Sequence, residues 1–329
     1  MNLQLLEQLT QTFGPSGYED EIRAVIRPIV EPFADEIRVD PLGSLVVHRK
    51  GTGEGKKIAL AAHMDEIGLM ATYIEEKGYV RFTSIGGVRP VNCIGGRARF
   101  ANGTTGVIHV ERRDDATAMP ELRHLYIDVG ATSRADCPVA VGDPGQFVGP
   151  LVRQGQRLIS KTMDDRIGCY VLIEVLRQLT DSPHDLYFVF STQEEIGLAG
   201  ARTTAFRIDP DIAISIDVTG TGDTPKALPM AVELGKGPAI KVKDSGMIAH
   251  PLVRDMLVAA AQKVGVPYQM EILVGGSTDA AAMQLVRSGV PSGCLSIPCR
   301  FVHSPSEMVD ETDVEHAIAL LLTALQTTL

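Results

Sequence analysis

Lys161-Thr162-Met163-Asp164-Asp165-Arg166-Ile167-Gly168 sets two adjacent carboxylates at the head of an apolar periodic segment (Ile167, Tyr170, Val171, Ile173, Val175, Leu176, Leu179). The spacing predicts a helix whose N-terminal end carries Asp164. Acidic residues are common at helix starts, where they cap free N–H groups, and alone the pair would mean no more than that. Asp164 gains a larger part from the segments around it, each of which ends in a residue able to bind a cation.

The run Lys57-Ile58-Ala59-Leu60-Ala61-Ala62 is apolar without polar alternation, the pattern of a strand covered on both faces, and it leads into His63-Met64-Asp65-Glu66. Side chains two residues apart on a strand project to the same side, so Asp65 can hold one ring nitrogen of His63 while the other faces a metal. Asp185–Ser191 leads to Gln193-Glu194-Glu195-Ile196-Gly197, Asp211–Ile216 leads to Asp217-Val218-Thr219, and Gly293–Pro298 leads toward Arg300-Phe301-Val302-His303-Ser304. Ligands in open α/β sheets bind beyond the carboxyl ends of parallel strands. Apolar runs that all end in His, Glu or Asp beside an Asp-Asp helix start are poorly explained as separate capped ends.

The ligand count suits two divalent cations. If Asp164 bridges them, His63 with Asp217 completes one and Glu195 with His303 the other, and the carboxylates nearly balance the metal charge. Nitrogen and oxygen donors without thiolate point to zinc or cobalt, with manganese as the third candidate. Glu194 is then spare, next to a ligand but not needed as one, and is placed to act as general base toward the attacking water.

At 329 residues the chain is longer than one usual core. Short β-rich runs at 78–82, 97–100, 105–110 and 125–129 are separated by glycine turns with no long helix among them. They read as a small β-barrel or sandwich inserted into the main domain. The expected division is therefore a catalytic domain made of residues 1–66 and 159–329, interrupted by an inserted β domain at 67–158. Glu111–Pro120 reads as a solvated loop. Residues 3–13 and 19–33 read as helices, 37–40 and 44–48 as a hairpin, and 252–264, 278–287 and 309–325 as further helices.

Composition narrows the function classes. A net charge of −10 without a basic stripe repels a phosphate backbone, so nucleic acid is not an expected partner. No basic segment precedes an apolar core and no apolar run has membrane length, so a cytoplasmic protein without a membrane partner is expected. The five cysteines lack a C-x-x-C pair, which argues against both a disulfide framework and a thiolate zinc site.

Ala62–Gly68, Met163–Gly168, Gln193–Gly197, Ile216–Thr219 and His303-Ser304 resemble, in order, the motifs of the M42 family of dinuclear metallo-aminopeptidases, which includes glutamyl and deblocking aminopeptidases and members labelled endoglucanase M. The resemblance spans essentially the whole chain. It implies His63, Asp164, Glu195, Asp217 and His303 as ligands of two metal ions, Glu194 as general base and Asp65 as the residue orienting His63. It also implies an α/β, mixed-sheet, zinc-peptidase-like (phosphorylase/hydrolase-like) catalytic domain with an inserted β-barrel, peptide substrates with a free N-terminus, and homo-oligomers that are often dodecameric. A metal-dependent deacylase of N-acyl amines would use the same site, and a non-catalytic scaffold could retain the fold, although a scaffold needs no Glu194. A glycosidase fits worst, since that chemistry pairs two carboxylates without a metal. Lys241, Lys243, Gly276 in the turn Gly275–Asp279, and Arg300 are the candidates for substrate contacts; the three cations would suit an acidic side chain.

Overall fold

The computed structural model describes residues 1–115 and 117–328; Ala116, inside the expected loop 111–120, and Leu329 lie outside them. An eleven-stranded sheet forms the centre, in the order Glu36–Val39, Leu45–Arg49, Asp185–Ser191, Lys57–His63, Ile212–Thr219, Ser292–Arg300, Glu307–Asp310, Arg157–Ser160, Val152–Gln154, with Ala239–Lys243 and Gln269–Ile272 branching from Ser292–Arg300. The four strands from Asp185–Ser191 to Ser292–Arg300 run parallel, which aligns their carboxyl ends. Antiparallel strands flank them on either side, so the fold is α/β with a mixed sheet.

Alternation along Lys57–His63 divides the core. Ile58, Leu60 and Ala62 join the cluster built with the helices Leu3–Gln11, Asp20–Val30, Met163–Gln178, Pro251–Val264 and Glu311–Leu325. Ala59 and Ala61 face the other way, against Ala201 and Ala205 of the helix Ala199–Ile208 and Ala280 and Ala281 of the short helix Asp279–Met283. Small residues on both sides let that second layer pack close.

Between the sheet strands Lys57–His63 and Val152–Gln154 the chain forms a closed six-stranded barrel: Gly68–Ile74, Val80–Ile85, Leu125–Asp128, Thr105–Val110, Arg97–Phe100 and Pro144–Phe147. It has its own core around Leu69, Phe82, Phe100, Ile108, Ile127 and Phe147. The two strands that close it, Gly68–Ile74 and Pro144–Phe147, carry no clean alternation in sequence; the first has a register shift at Ala71/Tyr73. They meet where a Cβ on Gly68 would lie 2.7 Å from the Gly145 carbonyl oxygen, a packing closed to any larger residue. Val152–Gln154 and Arg157–Ser160, at the end of the expected insert, pair with the main sheet instead.

Candidate metal centre

His63 ends its strand in register with Ser191, and Asp217 lies near the end of the next strand, paired with Ser296. Glu194 and Glu195 follow the strand Asp185–Ser191, and His303 follows Ser292–Arg300. Topology thus gathers the residues at one edge of the parallel sheet. Gln193, Phe301 and His303 have φ of 56°, 63° and 61°, a left-handed backbone at non-glycine residues that the surrounding contacts must hold.

Asp164 stands at the centre. Its Oδ1 is 3.0 Å from His63 Nε2 and its Oδ2 is 3.2 Å from His303 Nε2, so one carboxylate presents an oxygen to each imidazole. Glu195 Oε1 lies 3.3 Å from His303 Nε2, and Glu194 Oε2 lies 3.8 Å from His63 Nε2. Donor atoms of His63, Asp164 and Glu195 fall within 4.8 Å of one another, as do those of His63, Glu194 and Asp217. Both histidines use Nδ1 on a main-chain carbonyl: His63 on Asp65 O at 3.1 Å and His303 on Gly87 O at 3.0 Å. Each ring therefore has its Nε2 turned inward, the arrangement of a ligating histidine.

The segment carrying Asp164 differs from the expected helix start. Asp164 and Asp165 both have non-helical φ/ψ, Thr162 is left-handed, and the Asp164–Asp165 peptide is cis. The regular turns begin behind them, with Asp165 Oδ1 accepting the Gly168 N–H at 3.1 Å and so capping the helix. The Asp164 N–H, with no turn to join, donates to Glu307 Oε2 at 2.9 Å, while Glu307 Oε1 accepts the His303 N–H at 2.8 Å. Below, Glu66 accepts from Lys161 Nζ at 2.6 Å and Thr162 Oγ1 at 2.7 Å, with Arg166 at 3.6 Å, a buried ion cluster that pins the approach to Asp164.

Asp65 is fully buried and serves more groups than one ring. Its carboxylate is 3.5 Å from His63 Nδ1, farther than its own carbonyl, and it accepts the backbone N–H of Glu194 at 3.0 Å and of Glu195 at 3.1 Å, besides Ser16 Oγ. The sequence assigns no role to Asp165, Asp279, Glu307 or Glu66, which the structure places around the site. Each follows or precedes a recognised motif residue or a glycine turn, but only burial distinguishes them from surface acids.

The electrostatics describe a cluster that needs positive charge. Burial first, and then its carboxylate neighbours, push Glu194 and Asp217 well above the ordinary carboxyl range, while His63 pulls them back. Asp165 is raised in the same way. Asp164 is held below the usual range, because hydrogen bonds from His303 and His63 outweigh its burial. Glu195 Oε1 is buried without a hydrogen bond. A nitrogen and oxygen donor set with this excess of buried negative charge fits divalent cations. The thiols take no part: Cys169, Cys294 and Cys299 are buried and raised by that burial.

The candidates for substrate contacts divide. Lys241 is fully buried, not solvated, and its Nζ is 2.6 Å from Glu271 Oε1. Arg300 forms a two-point pair with Asp223, at 3.1 Å and 2.6 Å. Lys243 is exposed, with Nζ on the Asp244 carbonyl at 2.9 Å, and Gly276 sits in an exposed loop with φ 81°. Two of the three cations therefore already hold carboxylates.

The sequence profile of the M42 glutamyl aminopeptidase family matches residues 43–320. A putative aminopeptidase of Acetivibrio thermocellus is 47% identical over 98% of this chain and 97% of its own length. Among solved structures, aminopeptidase APDkam598 of Desulfurococcus kamchatkensis superposes with a TM-score of 0.96 at 39% identity, covering 99% of this chain and 94% of that one. The TET1 peptidase of Pyrococcus horikoshii, described as assembling into a tetrahedron or a large octahedral shell, gives 0.89 at 31% identity over 98% of each chain.

Proposed function

The chain belongs to the M42 glutamyl aminopeptidase family and is a hydrolase of the aminopeptidase type, and from that premise we propose that it removes the N-terminal residue of peptides with two divalent cations held by His63, Asp164, Glu195, Asp217 and His303. The observation that carries this reading is Asp164, with one oxygen toward each inward-turned imidazole. Zinc or cobalt suits the donors best, with manganese third. When bound, the cations polarise the scissile carbonyl and make water a better nucleophile.

The chain's own groups supply the rest. Glu194 is the general base: it takes a proton from the attacking water and returns it to the departing amine. Proximity alone does not separate it from a ligand, since it groups with His63 and Asp217; the base role is assigned because the other five residues already supply the ligands. Asp65 fixes the backbone from which Glu194 and Glu195 project.

The barrel is the oligomerisation domain in this reading. Tyr73, Val91, Val107, Met119 and Val141 are exposed apolar residues on residues 67–158, and the P. horikoshii relative is described as able to assemble into a tetrahedron or a large octahedral shell. No helix among the described residues is long and apolar enough to cross a membrane, and the proposed compartment is the cytoplasm. Metal analysis beside hydrolysis of aminoacyl-anilides, with and without chelator, tests the proposal: two equivalents of metal and chelator-sensitive turnover are expected, and full turnover by metal-free protein would overturn it.

A further inference from the structure

His303 differs from His63 in what holds it. His63 ends a central strand and is fixed by the sheet and by Asp65. His303 sits in a loop, in left-handed backbone, with its side chain 30% exposed. A ligand there needs other support, and the structure shows it at three points. Its N–H donates to Glu307 Oε1 at 2.8 Å. Its ring Nδ1 meets the Gly87 carbonyl at 3.0 Å, and its own carbonyl accepts Asn92 Nδ2 at 3.2 Å. Only the first belongs to the main sheet; Gly87 and Asn92 both belong to the segment between the barrel strands Val80–Ile85 and Arg97–Phe100.

The fit around this segment is close. A Cβ on Gly87 would lie 2.4 Å from His303 Nδ1 and 2.6 Å from Cε1, so the imidazole occupies the space a side chain would take. A Cβ on Gly86, itself at φ 73°, would lie 3.0 Å from Glu195 Oε2 and 3.1 Å from Glu195 Cβ. The same two glycines thus border both ligands assigned to one cation. Among the described residues, the side chains of His63 and Asp217 take their hydrogen bonds from outside the barrel.

We infer that the inserted barrel, through Gly87 and Asn92, positions His303 and thereby sets the affinity of the cation position formed by His303 and Glu195, leaving the position formed by His63 and Asp217 to the sheet. The Gly87 carbonyl accepts a hydrogen bond from Nδ1–H, the tautomer that leaves Nε2 unprotonated toward a cation; Asn92 fixes the backbone on which the ring turns. An assembly domain and a metal site are then mechanically joined: whatever shifts the segment 86–92 shifts one metal position and not the other. The inference rests on the two-cation reading above.

The test is titration of the full chain with Co²⁺ alone, followed by calorimetry and by the visible ligand-field bands, for wild type, Gly87→Ala and Asn92→Ala. Outer-sphere partners of a ligating histidine are typically worth about 10- to 100-fold in metal affinity. Gly87→Ala should therefore weaken one equivalent by at least about 10-fold and change its spectrum, with the other equivalent within about 3-fold of wild type; Asn92→Ala, which adds no bulk, should move the same equivalent in the same direction. Wild-type titration curves for both variants would overturn the inference alone, and so would equal weakening of both equivalents, the mark of a general loss of structure. If Gly87→Ala does not fold, Asn92→Ala decides by the same criteria. A wild-type chain that binds fewer than two equivalents would instead sink the two-cation reading, and the inference with it.

Discussion

Asp65 and Glu194 are joined through the main chain: Asp65 Oδ1 accepts the Glu194 N–H at 3.0 Å, and its other oxygen takes Glu195 N–H at 3.1 Å. One buried carboxylate thus places the proposed base and a proposed ligand together. In Asp65→Asn one acceptor becomes an NH₂ aimed at an N–H donor, which leaves a buried amide unpaired at a cost of about 1–3 kcal/mol. Turnover should fall by about 10- to 100-fold, with most metal retained. Steady-state kinetics with metal analysis check this; wild-type kcat would remove Asp65 from the positioning role.

The pair Glu194 and Glu195 can be separated by the same two measurements. Glu194→Gln should keep two equivalents of metal and lose about 10²-fold or more in kcat, the usual scale for a general base. Glu195→Gln should lose metal as well, because it removes charge from the oxygen nearest His303. The opposite pattern would exchange their roles. Asp164→Asn should impair both metal positions, since a neutral amide bridges poorly; two wild-type affinities in that variant would show that the bridge lies elsewhere.

Four of the proposed ligands lie at or beyond the end of an apolar run that reads as a strand, and Asp164 heads a run that reads as a helix. The fold class was readable from the same runs. What escaped depends on partners remote in sequence. Lys241 reads as a cation free for a substrate until Glu271 is folded against it, and Lys161 and Glu66 reveal their burial only as a pair. The helix Ala199–Ile208 has no broad apolar stripe because it packs through alanines on the alanine face of Lys57–His63. Glu307 sits two residues before Val309, where the sequence suggests a helix; instead Glu307–Asp310 is a strand, and its carboxylate turns back to Asp164 and His303.

Glu19 supplies a pH signature outside the ligand set. Burial, and then the charge of Asp65, push its carboxyl up to about 7, against the hydrogen bonds it accepts from Gly17 and Gln193. The folded state holds this proton more tightly than the unfolded state, so the stabilisation is fully present below the unfolded pKa, about 4.3, and is lost as pH rises through 7. At about 1.4 kcal/mol per pKa unit, the loss across pH 5 to 8 amounts to at most about 3 kcal/mol. The difference in urea stability between wild type and Glu19→Gln should therefore shift against the wild type over that range. A difference independent of pH would show that Glu19 is ionised throughout.

The last prediction concerns what is cut. Exopeptidase chemistry follows if one cation position receives a free α-amine while the other meets the adjacent carbonyl, which sets the first peptide bond beside Glu194. For the side chain, Lys241 and Arg300 already hold Glu271 and Asp223, so their charges are largely answered before any substrate arrives. Lys243 remains, but an exposed lysine contributes little discrimination. Glu- and Asp-anilides should therefore be cleaved with no more than about 10-fold advantage in kcat/KM over Leu- and Ala-anilides, and the N-acetylated forms of all of them should be poor substrates. A much larger preference for Glu would mean that one of the paired cations is released to the substrate, and Arg300→Ala and Lys241→Met would then identify it, with Lys243→Ala as the control for the exposed lysine. Equal or faster hydrolysis of the acetylated series would remove the free-amine requirement and favour a deacylase acting through the same residues.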